Sequence, residues 1–297
     1  MGAVGTDRFL NNVVKRSYKD VIVNPLVLIL IIPGCFGFPL YALWDLARTW
    51  HTSIFKFISP TIVYVAIGFT AILALGMAYI LARSLNQHHS RDTDWMYALL
   101  GYAAYYGKDT SELEKMCDEM AGIVGRRYEY MTLAFFLLFT FFFSMQNFFF
   151  DLEIVQYPKD LTYALTIIII VSVVIILATT LIHNLAVIYL MDNLQCRFTE
   201  LFSELMSDDT EVVTMKSTIR MYEIRTHLIL LICTLGVYSA VLCANFINTM
   251  NKHIRSQWDY EVRILNWMSA REGAEGLVRR KSATQRGGLY ALLMRIP

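Results

Sequence analysis

Residues 161–191 read LTYALTIIIIVSVVIILATTLIHNLAVIYLM, a run without one formal charge. A helix crossing the hydrocarbon core of a bilayer needs about 20 apolar residues, because in lipid every backbone polar group must be satisfied within the segment. A run this long has room to tilt or to project past the lipid. Its reading sets the expected class: an all-α integral membrane helix bundle.

Four further runs fit the same description. Tyr130–Phe150 is uncharged and holds nine of the chain's 18 Phe, and Phe57–Ala82 ends at Arg83. Thr226–Asn251 is interrupted only by His227. Leu26–Trp44 contains Pro33 and Pro39 with Gly34 and Gly37 between them. Each internal proline removes a backbone donor, so a kinked span is expected there, with a re-entrant segment as the alternative. The five runs predict a polytopic bundle of about five spans.

Composition agrees. The 297 residues are 56% hydrophobic and 17% charged, against about 25% charged in an ordinary globular domain. Six Pro, fifteen Gly and five Cys exclude disordered, collagen-like and disulfide-scaffold classes. Cys35, Cys233 and Cys243 lie in apolar runs, Cys117 and Cys196 on amphipathic stretches, and no CxxC spacing occurs. Such cysteines act as small hydrophobes. No disulfide framework, metal or cofactor is expected.

The runs divide the chain into an amphipathic N-terminal segment at 1–25, two spans in 26–83 and a polar helical hairpin at 84–129. Two more spans follow in 130–191, then a second polar hairpin at 192–225, a fifth span at 226–251 and a basic tail at 252–297. In the first segment Phe9, Leu10, Val13 and Val14, flanked by Arg8, Lys15, Arg16 and Lys19, suit a helix lying on a membrane surface. The tail holds nine bases and four acids, +5, leaving −4 for the rest of a chain whose formal charge is +1. A disordered tail kept soluble by charge is expected, with anionic headgroups or acidic partners as its possible ligands.

In the first hairpin Trp95, Met96, Leu99, Leu100 and Ala103 form one apolar stripe, and Leu113, Met116, Cys117, Met120 and Val124 a second. Ser111-Glu112-Leu113-Glu114 has the capping-box pattern of a helix start. In the second, Phe198, Leu201, Phe202, Leu205 and Met206 follow helical spacing, a turn is expected at Ser207–Thr210, and another helix runs through Ile219 and Tyr222. Both read as helices continuous with the spans that flank them. The inner segments of a five-span arrangement carry 14 Lys and Arg against six near the outer ends. That predicts a cytoplasmic N-terminus, with the C-terminus outside.

Two internal echoes suggest duplication. Arg126, Tyr128, Glu129 and Thr132 recur as Arg220, Tyr222, Glu223 and Thr226. Leu85-Asn86-Gln87-His88, trailed by Trp95, is echoed by Met250-Asn251-Lys252-His253, trailed by Trp258. The competing explanation is that Arg, Tyr and Trp recur because the lipid boundary favours them.

Polar groups inside spans are functional candidates because hydrocarbon penalises them. They are His183 and Asn184, Gln146 and Asn147, and Asn245 and Asn248; interhelical hydrogen bonding is their simpler role. Arg126, Glu129, Arg220 and Glu223 are candidate pairs at the membrane boundary, where a lipid-acting enzyme would gather titratable groups. His88-His89 with Asp92 and Asp94 resembles a metal cluster superficially, and a solvated helix start is expected. Glu112, Glu114, Asp118 and Glu119 lack the spacing of a calcium loop. No GxSxG, HExxH, P-loop or GxGxxG pattern is present, and no catalytic residue is assigned.

The expected function is therefore a non-enzymatic channel, transporter or receptor-like subunit. Its expected partners are the lipid bilayer, further copies of the chain, and a soluble protein at the hairpins. No nucleic-acid binding is expected. The alternative is a membrane scaffold, with a lipid-acting enzyme third.

Overall fold

A computed structural model describes residues 4–24, 26, 60–123, 131–135, 137–138, 159–207, 212–217, 219, 224–234 and 237–272. Among these the regular structure is helical, as the sequence predicts, and no strand occurs. Six helices carry the fold: α1 (Val4–Lys19), α2 (Pro60–Tyr105), α3 (Ser111–Gly122), α4 (Lys159–Met206), α5 (Ile224–Cys233) and α6 (Tyr238–Glu272).

α2 and α4 are the two longest, at 46 and 48 residues, or about 70 Å each at 1.5 Å per residue. α2 opens on Pro60, whose missing N–H costs nothing in a first turn. It stops at a left-handed turn: Gly107 has φ 68°. Lys108 N–H donates to the Ala103 carbonyl at 3.2 Å and Gly107 N–H to Ala104 at 3.0 Å. This is the Schellman arrangement, which satisfies the last carbonyls and reverses the chain into α3. Asp109 Oδ1 accepts from the Ser111 amide at 3.1 Å, so Asp109 meets the first turn of α3 where a Ser111 capping box was expected. Leu113, Cys117 and Met120 then bury against the bundle.

The predicted stripes face the core. Trp95, Met96, Leu99 and Ala103 from α2 and Phe198, Phe202 and Met206 from α4 are buried together. Tyr102 lies 6.5 Å from Phe202 and 6.0 Å from Trp267 between ring centroids. Arg271 closes this layer, stacking over Tyr106 and Trp267 and donating to the Met206 carbonyl at the end of α4.

Several expectations need correction. α1 does not leave its apolar face to lipid: Phe9 is buried, with Leu10 and Val13 packed against the same core. The second hairpin has no returning helix over 212–217, where Val212, Val213 and Thr214 disfavour helix through β-branching. That backbone is held by side chains instead. Ser203 Oγ donates to the Val212 carbonyl at 3.0 Å, and Met215 N–H donates to Thr199 Oγ1 at 3.0 Å.

The run 226–251 is not one rod. It breaks between Cys233 and Tyr238, where Thr234 Oγ1 accepts from the Tyr238 amide at 3.0 Å and starts α6. His227 stacks on Tyr238 with centroids 5.8 Å apart, so α5 folds back along α6. The stretch 252–272, expected as part of a disordered tail, continues α6. Its Ile254, Tyr260, Ile264 and Met268 are buried because they recur every four to six residues on one helical face.

Asp20, His88, Asp192 and His253 meet at one place in the bundle. Described parts of the N-terminal segment, of both polar segments and of α6 thus come together there. Among the described residues, Ile175–Met206 is long and apolar enough to cross a membrane, with a mean hydropathy of 1.7.

Candidate functional site

At that place lies a buried ionic node, assembled from polar residues that share each helix's core-facing stripe. Positions 88, 91, 92 and 95 of α2, 192, 195 and 199 of α4, and 253, 257 and 261 of α6 are spaced by about one helical turn. His88, Arg91, Asp92, Asp192, Gln195, His253, Gln257 and Glu261 are all buried, joined by Asn12 from α1 and Asp20 just beyond it. Trp95 seals the inner side, with Phe9, Phe198 and Tyr260 around it at centroid distances of 6.3, 6.2 and 5.5 Å.

Arg91 is the organising cation. Nε donates to Asp20 Oδ1 at 2.8 Å and Nη2 to Gln257 Oε1 at 2.7 Å, while Nη1 pairs with Glu261 and reaches Asn12 Oδ1 at 3.4 Å. Asn12 Nδ2 returns a bond to the Arg91 carbonyl at 2.9 Å. A guanidinium suits this place because its fixed fork of five donors meets several acceptors at once. Burial opposes the charge, but Glu261, Asp20 and Asp92 outweigh it and hold the Arg91 pKa above its ordinary value.

Asp92 is the second centre. Gln257 Nε2 donates to Oδ1 at 2.7 Å and Gln195 Nε2 to Oδ2 at 2.7 Å. His88 Nε2 faces Oδ2 at 3.2 Å and His253 Nε2 faces it at 3.6 Å. The two imidazoles stand edge to face, with centroids 5.3 Å apart. Each ring's other nitrogen meets a carboxylate: His88 Nδ1 lies 2.8 Å from Asp20 Oδ1, and His253 Nδ1 lies 3.0 Å from Asp192 Oδ1. Those carboxylates are themselves held, Asp20 by Trp258 Nε1 at 2.6 Å and Asp192 by Ser217 Oγ at 2.7 Å.

Burial alone would raise every carboxylate here. For Asp92 the charges of His88, Arg91 and His253, with hydrogen bonding, reverse it and hold the group well below the usual range. Asp20 is lowered for the same reason, by His88 and Arg91. Glu261 goes the other way: burial raises it and Arg91 only partly offsets the rise. Burial would lower His253, but hydrogen bonding and the charges of Asp192 and Asp92 hold it up at about 9.

The structure sorts the sequence candidates differently. His88 and Asp92, expected at a solvated helix start, are wholly buried. Their neighbours turn outward, His89 Nε2 to the Met120 carbonyl at 2.8 Å and Asp94 to Lys15 at 3.0 Å. Adjacent residues splay by about 100° on a helix, which separates the two pairs.

Of the candidates within spans, Asn184 is buried and its Nδ2 has no hydrogen-bond partner. His183 and Asn245 are half-buried, and Asn248 is exposed. Gln146, Asn147, Arg126, Glu129, Arg220 and Glu223 lie outside the described residues.

Gln257 and Glu261 were missed because the segment holding them was read as a tail. Their signal was available: His253, Gln257 and Glu261 share the stripe of Met250, Ile254, Ile264 and Met268. The His88/His253 echo was visible in sequence, and the fold brings its two members into contact. The chain matches no protein-family model, no curated protein and no solved structure.

Proposed function

We propose that the chain is a multi-pass membrane protein serving as a non-enzymatic channel- or transporter-like subunit. The carrying observation is the interruption between α5 and α6. Non-helical backbone at membrane depth is tolerated only when buried in protein or lining a water-filled cavity, and broken helices build solute sites in transporters. Here the break lies inside an apolar run and carries a polar pair, His227 Nδ1 and the Tyr238 hydroxyl, 3.0 Å apart.

Phe69, Ile80, Leu137, Ile175, Leu190 and Ile229 are exposed on the apolar stretches, a distribution that suits lipid contact. The chain leaves the node and returns to it three times, from Asp20 to His88, from Asp92 to Asp192 and from Asp192 to His253. Each excursion then makes an even number of crossings. α5, at 10 residues, reaches about 15 Å, half the hydrocarbon core. The apolar runs of the sequence at 26–44, 57–82, 130–150 and 161–191 are the candidate crossings, with the broken run at 226–251 as a candidate re-entrant segment. Basic residues of the N-terminal segment support a cytoplasmic side for the node. One chain has few polar groups with which to line a path, so assembly of several copies is part of the proposal.

Reconstituted full-length protein tests this by solute and ion flux from liposomes. Flux that changes in Tyr238→Phe and Asn184→Ala, from protein running as an oligomer, supports it. A folded, monodisperse monomer without flux overturns it. A second reading, a scaffold for a basic soluble partner, is favoured by the outer face of α3, where Glu112, Glu114, Asp118 and Glu119 are exposed. Reversal of those charges would abolish partner capture and leave flux unchanged.

A further inference from the structure

Two imidazole nitrogens and one carboxylate oxygen converge inside the node, and of the three only the oxygen, Asp92 Oδ2, has a donor, Gln195 Nε2 at 2.7 Å. If each histidine gives its Nδ1 proton to its carboxylate, Asp20 or Asp192, each Nε2 carries a lone pair. Both Nε2 atoms are buried, have no hydrogen-bond partner, and face Asp92 Oδ2. Lone pairs aimed at one another in a water-free interior repel unless a proton or a metal cation lies among them. The charge count gives the same answer. Asp20, Asp92, Asp192 and Glu261 stand against Arg91 and the nearby Arg16, which leaves room for two further positive charges.

The geometry points to a structural divalent transition-metal site formed by His88 Nε2, Asp92 Oδ2 and His253 Nε2, fastening α2 to α6. These atoms lie within 4.8 Å of one another, with two of the separations at 3.2 and 3.6 Å. Tetrahedral zinc, with bonds of about 2.0–2.1 Å, sets its donors about 3.3 Å apart. Two imidazoles and one carboxylate suit zinc or a neighbouring first-row ion, and are a poor set for calcium or magnesium, which take oxygen.

The surroundings are those of a built metal site. Ligating histidines nearly always pass their second N–H to a carboxylate, which fixes the tautomer and raises the basicity of the ligating nitrogen. Both histidines do so here, and both carboxylates are anchored in turn by Trp258 and Ser217. A further donor is at hand in Gln195. Its amide nitrogen touches Asp92 Oδ2 and its Oε1 is buried without a partner; turning the amide over would present that oxygen. Because the three ligands are wholly enclosed, the ion would hold helices together rather than meet substrate. The sequence reading assigned no metal, since the third ligand comes from a helix that was read as a tail.

The test uses full-length protein carrying a tag without histidine, made in zinc-supplemented cells and purified in detergent without chelator. Elemental analysis is expected to find about one divalent transition-metal ion per chain. Asp92→Asn and His253→Gln should lower that at least tenfold, while His89→Ala and His183→Ala should leave it unchanged. Should the ligand variants fail to fold, wild-type protein from cobalt-supplemented cells is expected to show the ligand-field absorption of cobalt bound by imidazole. Less than about one-tenth of an ion per wild-type chain, no cobalt band, or full metal in folded Asp92→Asn would overturn the proposal and leave the node held by protons.

Discussion

Arg91→Met removes the organising cation with little change of volume, and its consequences can be worked through. Glu261 loses its main partner inside a closed interior and keeps only Arg16 at 3.8 Å, while Asp20 retains His88 and Trp258. Removing one member of a buried ion pair costs about 3–5 kcal/mol, because the remaining charge has neither water nor a counter-ion. At roughly 2–4 °C per kcal/mol, the melting temperature in detergent should fall by about 6–20 °C.

The loss should depend on pH in a defined direction. Burial already raises Glu261 above its ordinary value, and Arg91 opposes that rise. Without Arg91 the folded-state value goes higher still. The folded chain then keeps a proton that the unfolded chain releases, so stability falls as pH rises above the unfolded value. The deficit of the variant relative to wild type should thus be larger at pH 8 than at pH 5. In Arg91→Met/Glu261→Met the deficit should be smaller than in Arg91→Met alone, since no carboxylate is stranded at 261. Thermal melts of the three proteins at both pH values decide it. An Arg91→Met protein that melts within about 2 °C of wild type at pH 8, or whose deficit ignores pH, refutes the reasoning.

Further outcomes follow from the same packing. Trp95→Ala should cost about 3–5 kcal/mol, because a buried indole leaves a cavity its aromatic neighbours cannot fill; chemical denaturation in detergent measures it. Cys117, buried and with its pKa pushed up by burial to about 12, should resist maleimide at pH 7.5 until the protein is denatured, as labelling mass spectrometry will show. Gly107→Val should lower stability by about 1–2 kcal/mol through backbone strain alone, because φ is 68° and nothing lies within 4 Å of the added carbon; Gly107→Asn should cost less. Ending the chain after Asn251 should prevent folding, since Arg91, Asp92 and Asp192 would lose His253, Gln257 and Glu261 together; the expected readout is aggregation on gel filtration.

What the sequence by itself determined was local. Hydropathy and helical period are properties of ten or twenty neighbouring residues, so the helices through 161–206 and 60–105, the stripe at Trp95–Ala103 and the face of α3 were all legible. The break at Thr234–Val237 was not, because a helix can be reversed without a proline once side chains such as Thr234 offer the backbone other partners. Nor was the node legible. His88 and His253 each occupy a place that could equally have faced water, and only packing turned them inward. Which of many polar residues on a stripe are buried depends on which helices meet. That choice is made by long-range charge pairing and close packing, and the tertiary structure alone brought Asp20, His88, Arg91, Asp92, Asp192, His253 and Glu261 into one enclosed site.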